Sequence, residues 1–200
     1  MDAEDYLLNP PLRGRLVELH PLVEEHTTDL FEVVEDEVFR HLSWPPPRSK
    51  EELAERLAWY REQPAMAPWA QVDAASGRAV GMTTFYEIDA SLRTVAIGHT
   101  WLGRPYWRQG HNTEAKLLLL TRAFDALGCV RVVWQTDVRN ERSQAAIARL
   151  GAAREGVLRK HRRRADGSWR DTVTYAMLDD EWPAARARLS AAVAAGHLPA

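Results

Sequence analysis

The chain has 200 residues, 46% of them hydrophobic, with 26 Lys and Arg against 28 Asp and Glu, a formal net charge of −2 and a pI of about 6.4. That length fits one domain, or one with an extra arm, and the hydrophobic content supports a packed core, while the charge balance excludes a general nucleic-acid binder. A lone cysteine, Cys129, excludes an intrachain disulfide framework and a Cys-rich metal site; no apolar run approaches the roughly 20 residues of a membrane span, and the acidic start lacks the regions of a signal peptide, so the expected compartment is the cytoplasm.

Residues 1–11 are polar and end in Asn9, Pro10 and Pro11, a lead-in expected to be disordered. Residues 12–19 alternate apolar and polar side chains and predict a first strand. Pro21 opens a predicted helix to about residue 36, with Leu22, Leu30, Val33 and Val34 inward. Residues 39–44 extend it weakly until Pro45, Pro46 and Pro47 break it. Ser49 caps the next helix, which carries Glu51 and Glu52 in its first turn and Leu53, Leu57 and Tyr60 on one face. Residues 69–73 and 80–88 flank a turn at Ala75, Ser76 and Gly77 and read as a hairpin, with a polar turn over 89–93.

Residues 94–102 are rich in β-branched and aromatic side chains and predict a strand. Gly103, Pro105 and Gly110 stop it. A helix then begins, with Leu117, Leu118, Thr121 and Phe124 at helical spacing and Asn112 or Thr113 as its cap. A strand that passes through a short basic loop into a helix N-terminus makes an anion site. Free amides point into the loop, the helix dipole favours negative charge, and Arg104 and Arg108 add formal charge.

Gly128 ends that helix. Residues 130–136 are nearly continuously apolar and predict a strand buried on both faces, with Trp134 in the core and Cys129 beside it as a small core residue. Residues 137–140 form a loop, and 143–150 a short helix closed by Gly151. Residues 154–163 and 169–178 form a hairpin about Asp166 and Gly167, before a terminal Ala-rich helix over 181–195 and a tail. No repeat or linker divides residues 1–200. The expected architecture is one α+β domain with a mixed sheet, in which the crossover helix over 113–127 makes its flanking strands parallel.

This order, with the loop Arg108, Gln109, Gly110, His111, Asn112, the run from Asp137 through Asn140 and Ser143, and the later Gly151, Glu155, Gly156, Asp171 and Trp182, resembles the GNAT acyl-CoA N-acyltransferases, and within them the RimJ/RimL type. The resemblance covers residues 12–182. It implies an α/β/α sandwich around a mostly antiparallel sheet, with a parallel pair flanking the CoA-binding helix. It implies acetyl-CoA as cosubstrate, its pyrophosphate on the amides of Arg108, Gln109, Gly110, His111, Asn112 and Thr113. It further implies an oxyanion donor near the Leu102 amide and pantetheine contact from Asn140. Aligned on Gly110, the family's Gln/Arg position is Trp107 and its Gly/Ala position is Asn112, both departures.

The implied reaction moves an acetyl group from a thioester to a neutral primary amine by direct attack in a ternary complex, with no metal. Many relatives place a Tyr after the Asn to serve the departing thiolate; here that position is Ile147, and Ser143 is the hydroxyl that takes the role. Candidate bases are Glu87, His99, Asp137 and Glu155, with Glu87 preferred alongside Ser143 as a catalytic residue. Cys129 is too apolar in context to be a nucleophile. Trp44 and Trp59 fall in the early helical arm, where the resemblance puts the acceptor cleft, as stacking or packing groups. The basic run over 159–164 reads as a solvated face or a rim for acidic substrate or CoA phosphate. The acceptor is either a protein N-terminus or a small amine, with no membrane or nucleic-acid partner and a homodimer as one arrangement. The alternative is an acyl-CoA-binding sensor without catalysis, which the departures at Trp107 and Asn112 would suit.

Overall fold

The computed structural model describes residues 2–195. Its sheet runs β1 (Leu12–Arg13), β2 (Val17–Pro21), β3 (Ala67–Asp73), β4 (Ala79–Asp89), β5 (Thr94–Leu102), β6 (Arg131–Asp137), then β8 (Trp169–Leu178) and β7 (Ala153–Arg163) at the edge. Every junction is antiparallel except β5–β6. On one face lie α1 (Thr27–Glu32), α2 (Asp36–Phe39) and α3 (Lys50–Glu62), whose Leu30, Phe39, Leu53, Leu57 and Tyr60 pack with Met82 and Trp101. On the other lie α4 (His111–Thr121), α5 (Glu141–Leu150) and α6 (Trp182–Ala195), packed through Leu119, Ile147 and Leu189 against Val132 and Val173. The predicted sandwich with one parallel pair is the fold observed; the tail past Ala195 lies outside the described residues.

Several local expectations need correction. Residues 12–19 are two short strands rather than one, because the chain reverses at Gly14, whose amide donates to Val17 O at 3.0 Å. Pro21 does not open a helix: it ends β2 opposite Trp69, and the next amide, of Leu22, donates to Pro68 O at 3.1 Å, which keeps the chain extended. The helical arm therefore shrinks to α1, a 3₁₀ turn before it, and α2. Residues 2–11 of the lead-in make contacts with the domain. Tyr6 is 2% exposed and donates its hydroxyl to Leu127 O at 2.9 Å, while Arg122 donates to the carbonyls of Asp5 and Leu8. One aromatic and one guanidinium fork thus fix a segment whose average composition is polar.

α4 starts directly after Gly110, so Asn112 and Thr113 lie inside its first turn instead of capping it. Its buried stripe is Ala115, Leu119, Leu120 and Ala123, with Leu117 and Leu118 only half covered. The apolar run over 117–120 leaves the rotation of the helix undetermined, and small Ala115 and Ala123 are what let it sit close on the sheet. β6 alternates buried and half-buried residues rather than being buried on both sides.

A bulge sets the shape of the sheet's centre. Met82 pairs with Trp101 and Thr84 with Gly98, so Thr83 alone opposes His99 and Thr100. His99 takes φ of 48°, a left-handed conformation, at this extra residue. β5 bonds β6 only over residues 94–96 against 131–133. Beyond that the two parallel strands separate, one held by β4 and the other by β8, and a notch opens between them.

The candidate active site

Parallel strands end at the same side of a sheet, and the crevice outside their carboxyl ends is where α/β folds seat ligands. Here β5 leads through residues 103–110 into α4, and β6 leads through 138–140 into α5. Both helix N-termini therefore border the notch. Their closeness is direct: the Arg142 guanidinium of α5 stacks 3.8 Å from the Trp107 ring of the α4 loop. Trp107 itself is tied down, donating its indole N–H to Leu102 O at 2.6 Å.

The loop reaches α4 through two left-handed residues, Arg108 with φ 59° and Gly110 with φ 99°. This turn lays successive amides along one concave path. The first helical bond runs from the Glu114 amide to Gly110 O at 2.9 Å, which leaves the amides of His111, Asn112 and Thr113 without a partner among the described residues. Such a row is an anion-binding arrangement, with Arg108 exposed beside it and Arg142 across the notch. The His111 side chain points away: it is buried and its Nε2 lies 3.0 Å from Asp73 Oδ1, so only its amide is available. Leu102 is buried at the end of β5. Gly110→Ala should place a Cβ on a left-handed residue at roughly 1–2 kcal/mol, weakening acetyl-CoA binding by about tenfold. Isothermal titration checks this, and an unchanged affinity would remove the loop from the site.

Asn140 caps α5, its Oδ1 accepting from the Ser143 amide at 3.0 Å. The cap fixes Ser143 in the first turn at the mouth of the notch, half-buried, and its hydroxyl has no partner among the described residues. Ile147, one turn on, is in the core.

The four carboxylate and imidazole candidates separate by their partners. Glu155 is held by both arms of Arg131 at 2.6 and 2.5 Å. Asp137 accepts from Arg164 at 2.5 and 2.9 Å and from the Arg139 amide at 3.0 Å. Burial works to raise its pKa, but those donors outweigh it and hold the carboxyl below its ordinary value. Glu87, exposed and with φ 48°, accepts from Gln135 at 3.2 Å and Arg162 at 3.1 Å. His99 sits between the rings of Tyr60 and Tyr86, with Nδ1 at 3.1 Å from the Tyr60 hydroxyl. Burial, with Arg162 and Arg170 adding to it, pushes its pKa down to about 4, so it is neutral near pH 7. Trp44 is core, stacked edge-on with Phe39 at 4.8 Å, whereas Trp59 is exposed.

Residues 16–153 match the family described as acetyltransferase (GNAT) domain. The chain belongs to the GNAT acetyltransferase family. It is similar to the crystal structure of a GCN5-related N-acetyltransferase from Brucella melitensis, with a TM-score of 0.90 and 30% identity over 94% of this chain and 87% of that one. It is 33% identical over 106 residues to YdaF of Bacillus subtilis (strain 168), provisionally named a ribosomal N-acetyltransferase; the match spans 53% of this chain and 57% of that protein. It also shares its fold with Mycobacterium smegmatis RimJ, solved in complex with CoA-disulfide, at a TM-score of 0.75 and 23% identity over 94% and 93% of the two chains.

Reading the sequence missed four groups around this site. Arg142 gave no signal beyond lying two residues past Asn140. Arg170 was passed over as part of a hairpin. Glu114 and Lys116 were not singled out, and both are buried. A charge within two turns of the loop at Gly110 is the signal that could have flagged these two. No helix among the described residues is long and apolar enough to cross a membrane.

Proposed function

We propose that this chain transfers an acetyl group from acetyl-CoA to a primary amine in a single ternary complex. The observation that carries the reading is the notch itself: a row of free amides at His111, Asn112 and Thr113 on one wall and the Ser143 hydroxyl on the other. Acetyl-CoA supplies the thioester. The Leu102 end of β5 offers main-chain hydrogen bonding to the oxygen that gains charge, and the fixed donor needs no reorganisation as charge develops. The carbon–sulfur bond breaks as the carbon–nitrogen bond forms. Ser143 donates a hydrogen bond to the departing sulfur, which stabilises it without a full proton transfer, since a hydroxyl is a weaker acid than a thiol. Asn140 uses its oxygen as a cap and keeps its amide N–H groups for the pantetheine arm.

The acceptor must lose a proton. An α-amine with a pKa of about 8 is already partly neutral near pH 7, so water suffices as relay. Glu87 serves that relay from the surface, where its carboxylate is held by Arg162 and Gln135. Cys129, buried and raised to about 11 chiefly by burial, takes no part.

Ser143→Ala should lower kcat by on the order of 10- to 100-fold, the worth of a hydrogen bond to a charged atom, with acetyl-CoA affinity nearly unchanged. Thiol release on an amine panel, with products read by mass, measures it. Tight acetyl-CoA binding without thiol release on any amine would instead favour the acyl-CoA sensor.

A further inference from the structure

Next to the notch lies a second cleft, of about 150 Å³, that the acyl-CoA does not need. The segment after α2 supplies Arg40 and His41, the end of β6 supplies Asp137, and the β7–β8 hairpin supplies Arg163, Arg164 and Arg170. It shares Asp137 and the β6 end with the notch, three residues before Asn140. Most of its charges are already matched. Asp137 spends both oxygens on Arg164. Arg163 donates to Gly167 O at 2.8 Å and lies 3.6 Å over the Trp169 ring. Arg40 reaches Glu37 at 3.4 Å. Asp166 accepts the Ser168 amide at 2.8 Å and closes the hairpin turn.

Arg170 is different. It is half-buried, its Nε is shut off from solvent, and the guanidinium has no hydrogen-bond or ion-pair partner among the described residues. Two further arginines, Arg162 and Arg164, crowd it, and the one acid beside it, Asp137, is committed elsewhere. It also lies within electrostatic reach of Tyr86 and His99, which line the mouth of β5. An unmatched guanidinium in a shielded cleft is costly unless something brings the complementary charge, and its planar fork matches a carboxylate two bonds at a time.

We infer that the acceptor amine carries a carboxylate, and that Arg170 receives it, with the amine turned toward the Ser143 side of the notch. The inference rests on the transferase reading above for the amine, but the anion site stands on the cleft alone. A carboxylate a few bonds from the amine is the chemistry of an amino acid or of an acidic residue near a peptide N-terminus. Both present the same group to Arg170 and differ only in what extends past the cleft.

Binding and turnover test it separately. In protein without CoA, N-acetylglycine should bind at least tenfold more tightly than N-acetylglycinamide by ligand-observed NMR, and the difference should vanish in Arg170→Gln while Arg170→Lys keeps part of it. Equal binding of acid and amide to the unmodified protein overturns the site, whether or not the protein proves to be a transferase. In turnover, amino acids and acid-bearing peptides should exceed their amides in kcat/KM by at least tenfold. Arg170→Gln should level the two classes through KM, with acetyl-CoA affinity unchanged. Amides or polyamines used as well as acids, or a loss in Arg170→Gln that is equal for acid and amide, overturns it. Free amino acids used well and acidic peptides poorly assigns the small-molecule source; the reverse assigns the peptide. Failure of acetyl-CoA to bind at all overturns the transferase reading and leaves the N-acetylglycine comparison to decide the anion site.

Discussion

Glu114→Ala should destabilise the protein by about 3 kcal/mol or more, because the Glu114 carboxylate is a buried acceptor for three consecutive amides. The amides of Arg15, Leu16 and Val17 donate to it at 2.9, 2.6 and 3.0 Å, and the side chain is 3% exposed. The carboxyl also fills the space beside Gly14, where a Cβ would come within 2.6 Å of it. The β1–β2 turn is thus folded around this one side chain, which joins the first hairpin to α4. Removal leaves three donors without an acceptor in a dry interior, which costs far more than the net value of the bonds themselves. Urea unfolding should show the loss, with Tm lower by roughly 6–12 °C. Glu114→Gln keeps one oxygen but brings an amide against the amides, and should recover less than half. A loss below about 1 kcal/mol for Glu114→Ala would mean the turn is held by other contacts.

The second large effect concerns Lys116, which has no carboxylate partner among the described residues. Its Nζ donates to Thr83 Oγ1 at 2.9 Å and Thr100 Oγ1 at 2.7 Å, and the two hydroxyls are 2.8 Å apart. These threonines flank the bulge at His99, so the lysine pins α4 to the point where β5 turns away from β6. Burial alone pushes its pKa down to about 7, far below the usual 10.5. The unfolded chain then holds one more proton than the folded chain between those values. Stability should rise with pH through that window, by up to about 1.4 kcal/mol per pH unit, and the full penalty should be present below pH 7. Lys116→Met should abolish this slope and, at pH 7, stabilise the fold by up to a few kcal/mol, less the two hydroxyl bonds lost. Denaturant melts at pH 7, 8 and 9 test it. The range stops at 9 because the raised Cys129 thiol pulls the other way above that. A flat wild-type profile over those three points would mean that the ammonium is retained in the fold.

The two residues show where the sequence was informative and where it was not. The strand over 94–102, the Ser49 cap with its Leu53, Leu57 and Tyr60 face, and the hairpin about Gly167 were legible because local periodicity and turn chemistry decide them. The family resemblance rested on residues that sit together in the fold: Gly110, Asn140 and Ser143 all reach the notch. What stayed hidden was decided by distant neighbours. Pro21 reads as a helix start until β3 pairs with it. Nothing local marks Glu114 and Lys116; amides of the β1–β2 turn and β2 meet the first, and hydroxyls of β4 and β5 meet the second. The lead-in reads as mobile until Tyr6 finds Leu127. The Arg170 cleft belongs to the same class, since three segments far apart in the chain, after α2, at the end of β6 and in the β7–β8 hairpin, create it.

The outer strand β7 carries a further consequence. Its 11 residues run along the rim of the sheet almost wholly in solvent, with one row of main-chain donors and acceptors facing outward. Such a margin invites a foreign segment to zip onto it. Arg154, Arg159, Lys160 and Arg163 crowd that margin with like charge, while Glu155 and Arg162 are occupied inward by Arg131 and Glu87. Two copies brought rim to rim would set cation against cation. The arginine row therefore protects the protein against runaway polymerisation, and trimming it to neutral residues should lower the concentration at which fibres or precipitate form.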